Sequence, residues 1–186
     1  MDNIAHISRF FRLLFQIFLV VIPLFTVIRW VMLPTSSVVS DHYHMLFYYH
    51  YNPVPPGLHL DYTITPQVKI LGCIVSMLTV GMLMLILYFL IKLFRNYQHK
   101  RIFLLDNVRI IRNIGYSLIV WQLLIPIQQA LLSVILTWHN GLGGRVIVAN
   151  FSVDNITIIL IAFIVILISS IIAEGHKLQE EQEYTV

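Results

Sequence analysis

Charge is what this chain has least of. Of its 186 residues only nine are Asp or Glu and twelve are Lys or Arg, 11% together, against roughly a quarter in soluble domains. The acidic residues are Asp2, Asp41, Asp61, Asp106, Asp154, Glu174, Glu180, Glu181 and Glu183. None lies inside a long apolar run, whereas proton-coupled pumping calls for a carboxylate there. No nucleophile with an adjacent base, phosphate-cradling glycine loop or buried carboxylate pair is legible, so an enzymatic reading has no residue set to rest on. Cysteine occurs once, as Cys73. That excludes an intrachain disulfide or a multi-cysteine metal site and leaves packing as its role.

In place of charge there is 58% hydrophobic content and a mean hydropathy of +0.81. The apolar residues gather into four runs, at about 10–33, 70–91, 114–138 and 156–173. Each is long enough, or nearly so, for the roughly 20 helical residues that span a bilayer. The sequence therefore predicts an all-α membrane protein with a single domain over 1–186. Arg9 and Arg12 stand at the start of the first run as in a signal peptide, but the run continues past Pro23 to Met32 without a small-residue cleavage site, which favours a retained helix. The fourth run is rich in β-branched residues, yet in lipid a lone strand would leave its backbone unpaired, so it too must be helical.

Orientation follows from where the basic residues stand. The segment Arg95–Tyr116 carries Arg95, Lys100, Arg101, Arg109 and Arg112 between two apolar runs, and short basic loops stay in the cytoplasm. Arg9, Arg12, Lys92 and Lys177 fall on the same side, against Arg29, Lys69 and Arg145 on the other. Two antiparallel helical hairpins result, with both termini cytoplasmic. The outer loops are 34–69 and 139–155, the inner loop 92–113 and the tail 174–186. The pI of about 9.1 is accounted for by these membrane-boundary charges and does not call for nucleic acid.

Four features are candidates for function. In the first outer loop MLFYYHY and LHLDYTI flank NPVPPG, which predicts a short extracytoplasmic β-hairpin. Its His42, His44, His50 and His59 are a ligand set for Zn or Cu, or a pH sensor; two further ligands would be needed for a closed site from one pair, and interfacial packing is the first reading. The third run is the most polar, and its Gln122 and Gln129 lie seven apart on one helix face, suited to hydrogen bonds across a bundle. In the second outer loop the glycines predict a turn before a short strand at Val146–Phe151. Finally Glu174 stands at a helix C-terminus, where the macrodipole disfavours an anion, so Arg109 and Arg112 are candidates for an intramolecular charge latch, with Lys177 as the local competitor.

Two stretches add a resemblance. Phe103-Leu104-Leu105-Asp106-Asn107-Val108-Arg109, leading to Arg112-Asn113-Ile114-Gly115-Tyr116, and Glu174-Gly175-His176-Lys177-Leu178-Gln179-Glu180-Glu181, ending in Thr185-Val186, resemble a bacterial family of four-helix inner-membrane proteins classed as a domain of unknown function. The resemblance implies a multi-pass protein of the inner membrane and, as a partner, a small helix-turn-helix regulator encoded nearby. It implies no activity and no cofactor. The expectation is a non-enzymatic regulatory or interaction protein with a cytoplasmic partner; the alternative is a sensor or transport component that binds a small ligand or metal through the His/Tyr loop and the polar third helix.

Overall fold

A computed structural model describes residues 2–33, 64–99, 105–139 and 144–183, with side chains placed outside 2–5 and 177–183. Four helices account for most of them: α1 (Asp2–Met32), α2 (Pro66–Gln98), α3 (Leu105–Thr137) and α4 (Val153–Glu183). Each contains a segment long and apolar enough to cross a membrane, namely His6–Met32, Pro66–Gln98, Leu105–Thr137 and Val153–His176. All four helices run past the apolar stretches that define them in sequence, because their polar flanks contain good helix formers such as Arg, Lys, Gln and Glu. No strand occurs among the described residues. The predicted hairpin of the first outer loop, with its four histidines, lies outside them.

The start of α2 shows how local chemistry sets an element. Pro66 occupies the first helical position, where its missing N–H costs nothing, and Thr65 caps the turn by accepting the Val68 N–H at 3.4 Å. Pro23 in α1 and Pro126 in α3 lie inside helices, which membrane helices tolerate when neighbours re-satisfy the freed carbonyls.

Polar and apolar side chains are distributed inside out. Thr79, Gln128, Thr137 and Ser169 are fully buried, while Phe163, Leu167 and Ile171 of α4 stand more than half exposed. In water this arrangement would be untenable. In a bilayer it is what packing demands, since lipid offers apolar side chains no reason to hide and offers polar ones no partner.

The chain divides into two compact units. One comprises 1–21, 82–122 and 153–186. Its core is Ile86 and Leu93 of α2 against Ile110 and Ile114 of α3, extended by Phe89, Leu118 and Trp121. Helix α1 joins through Phe11 and Phe15, whose rings lie 5.4 and 5.6 Å from that of Phe94, and through Arg12, which donates to Gln98 at 3.0 Å. Asn96 of α2 donates to Asn107 of α3 at 2.7 Å. Helices α3 and α4 meet along a seven-residue repeat. Gln122 faces Asn155, and Gly115 faces Ala162 so closely that a Cβ on Gly115 would lie 2.5 Å from Ile166 and 3.1 Å from the Ala162 carbonyl. One more antiparallel step places Val108 opposite Ser169, both buried. The register brings the first turn of α4 to the middle of α3, and carries α4 on for about 16 Å past Leu105 at the α3 N-terminus.

The other unit comprises 22–81 and 123–152. Its core is Trp30 and Leu33 with Ile64, Val68, Leu132 and Leu136. The indole of Trp30 lies across Gly72, where a Cβ would stand within 2.6 Å of three of its ring carbons, and one turn on its Nε1 donates to Ser76 at 3.0 Å. Two small residues four apart thus make a seat for one aromatic side chain.

Candidate functional site

The polar residues of α3 are the most chemically distinctive group in the described chain. In the first unit Gln122, 1% exposed, accepts at its Oε1 from Asn155 Nδ2 at 2.7 Å. Asn155 is itself buried, so its amide serves α3 and is not displayed as a glycan acceptor, although Asn155-Ile156-Thr157 fits the sequon. In the second unit Gln128, fully buried, accepts from the Thr79 hydroxyl of α2, which also lies 3.3 Å from the Ser76 carbonyl. With the Trp30 bond to Ser76, this links α1, α2 and α3 by side chains.

One face of the C-terminal half of α3 does something different. Gln129, Ser133 and Thr137 recur every four residues, and beside them runs the segment Val146–Asn150. The Val146 N–H donates to Thr137 Oγ1 at 3.2 Å, the Val148 N–H to Ser133 Oγ at 3.0 Å and the Asn150 N–H to Gln129 Oε1 at 2.9 Å. The strand expected at Val146–Phe151 is therefore not a strand. It is an extended segment whose alternate donors are satisfied by helix side chains instead of by another backbone. The periods explain why this works: two extended residues advance about 6.6 Å, and four helical residues about 6.0 Å. The two hydroxyls complete their own bonding within the helix, Ser133 to the Ala130 carbonyl and Thr137 to the Ser133 carbonyl. At the mouth of this segment the guanidinium of Arg145 sits 4.4 Å from the Trp138 ring, a cation–π contact.

Gln122 and Gln129, which the sequence places on one helix face, thus have different kinds of partner. The first bonds another helix and the second a loop backbone. The polarity of α3, Gln128 included, is legible in the sequence; what sequence reasoning missed is Thr79 as the partner of Gln128, Asn155 as the partner of Gln122 and the Trp30 seat, all apparent only once the helix register is known. Two donors stand out, since the buried side-chain nitrogens of Gln122 and Gln128 have no acceptor among the described residues.

The charged candidates lie elsewhere. Arg109 is 3.7 Å from Asp106 one turn earlier, both side chains being largely exposed. Arg112 and Glu174 are exposed as well. By the α3–α4 register Glu174 stands just beyond the level of Leu105, about 9 Å along the axis from Arg109 and farther from Arg112. No group of three or more His, Cys, Asp or Glu able to hold a metal occurs among the described residues; His42, His44, His50 and His59 lie outside them.

A family described as "Protein of unknown function (DUF2975)" matches residues 49–186. No curated protein and no solved structure matches the chain.

Proposed function

The chain belongs to the DUF2975 family, and from that premise we propose a non-enzymatic protein of the bacterial inner membrane that communicates with a cytoplasmic partner. Its helices cross as two antiparallel hairpins, α1 with α2 and α3 with α4, and both termini are cytoplasmic. The excess of Lys and Arg on that side supports this orientation. The observation that carries the functional reading is the projection of α4 beyond the start of α3, still helical through Glu183 and with the sequence LQEEQE near its end. An acidic helix end beyond the start of α3 suits a basic protein surface such as that of a helix-turn-helix regulator. Capture of cytoplasmic proteins on the full chain and on a chain ending at Glu174 tests it. A basic partner retained only by the full chain is expected; an identical set of captured proteins overturns the reading.

A second reading is favoured by the buried side-chain amide of Gln122, which has no acceptor among the described residues. A small ligand bearing hydrogen-bond acceptors, or a metal taken up first by His42, His44, His50 and His59, would make the protein a sensor or transport component. Zn and Cu content of the purified protein, before and after replacement of His42 and His44 by Ala, tests the metal arm; the absence of both metals removes it.

A further inference from the structure

Beside the Trp30 seat, α1 and α2 leave a groove of about 460 Å³, within the roughly 300–1,000 Å³ of small-ligand clefts. Val27, Trp30 and Val31 form one wall and Ile70, Cys73 and Ile74 the other. The lining is apolar but for one residue. Lys69 stands in it with its ammonium 3.5 Å from the Val31 carbonyl, at the C-terminal end of α1. The groove therefore pairs a methylene-friendly wall with a single cation. Arg29, on the same turn of α1 as Trp30, adds a second basic residue at this end.

We propose that this groove is a binding site for an anionic phospholipid, one acyl chain lying between α1 and α2 and the phosphate meeting the Lys69 ammonium. Three observations converge on that occupant. Val31, Ile70 and Ile74 are each more than 60% exposed although they belong to helices apolar enough to span a membrane, so hydrocarbon is their natural solvent. Lys69 is near the first turn of α2, at the depth where a helix end meets headgroups. Among the described residues its tether is one long bond to a carbonyl, at 3.5 Å, which leaves donors for a phosphate. An uncharged apolar ligand would use the walls but not the cation. The assignment does not depend on which leaflet this end of the helices faces.

The test uses the full chain in nanodiscs, with Trp30 made the only tryptophan by Trp121→Phe and Trp138→Phe. Phosphatidylglycerol or phosphatidylcholine carrying brominated acyl chains is supplied at equal mole fraction in an otherwise unbrominated bilayer. Because Trp30 lines the groove while bulk chains of either lipid reach its surroundings equally, a difference in quenching between the two lipids reports a chain lodged in the groove. Brominated phosphatidylglycerol is expected to quench Trp30 more strongly than brominated phosphatidylcholine, and Lys69→Gln to bring the two level. Equal quenching in the parent, or a preference unchanged by Lys69→Gln, overturns the proposal. Native mass spectrometry of the unaltered chain, which does not depend on the tryptophan replacements folding, reads the same preference. Phosphatidylglycerol adducts should exceed phosphatidylcholine adducts about fivefold, the contribution of one lysine near an anionic surface, and the excess should vanish in Lys69→Gln. Equal adducts from the unaltered chain contradict it.

Discussion

Replacing Ser133 by Ala removes the middle rung of the contact between α3 and the segment Val146–Asn150. The Ser133 hydroxyl accepts the Val148 N–H at 3.0 Å and donates to the Ala130 carbonyl at 2.8 Å. The carbonyl keeps its helical donor, so the loss falls on the Val148 amide. Side-chain hydrogen bonds within membrane proteins are worth about 0.6 kcal/mol on average and up to about 1.7, which corresponds to roughly three- to twentyfold in an opening equilibrium. The assay is residue-resolved amide hydrogen exchange in detergent micelles, where exchange of a protected amide follows local opening. In the parent protein Val146, Val148 and Asn150 are expected to exchange more slowly than Ile147 and Ala149, a two-residue alternation with no partner strand. In Ser133→Ala the Val148 amide should speed up by the factor given, with Val146 and Asn150 affected less because Thr137 and Gln129 still hold them. Uniform protection across 146–150, or an unchanged Val148 rate, would refute the idea that helix side chains stand in for a strand.

Other perturbations probe other joints. Gly72→Ala puts a methyl group into the Trp30 indole and should lower stability in detergent by about 1–3 kcal/mol, the range for overpacking; pairing it with Trp30→Leu should recover part of the loss in thermal unfolding. A double-mutant cycle of Gln122→Leu with Asn155→Leu should return a coupling of about 0.6–1.7 kcal/mol, and a value indistinguishable from zero would deny the 2.7 Å bond between them. A charge latch between Glu174 and Arg109 is an exposed pair, so a cycle of Glu174→Gln with Arg109→Gln should give at most about 1 kcal/mol, and less in high salt. Coupling of Glu174 to Arg112 larger than to Arg109 would contradict the α3–α4 register.

The helices were legible because a bilayer imposes length and apolarity on each crossing, and runs such as Ile156–Ala173 satisfy both without help from tertiary context. Their partners were not. Gly72 and Ser76 do not advertise themselves as a helix-dimer motif, since what they admit is an indole from α1 and not a second backbone. Val146–Phe151 has strand-like composition and is indeed extended, but composition cannot say that its donors will meet hydroxyls and an amide spaced along a helix. The polarity of α3 was visible residue by residue. Which residue each amide meets depended on a register, Gln122 against Asn155 and Gly115 against Ala162, that no local pattern in α4 announces.

Both the proposed partner docking and the proposed hairpin arrangement require that the chain end where it began, on the cytoplasmic side. The most direct measurement fuses alkaline phosphatase or green fluorescent protein, in separate cells, after Val186. A fluorescent green fusion with an inactive phosphatase is predicted. An active phosphatase with a dark green fusion would put the acidic end of α4 outside the cell and contradict the account.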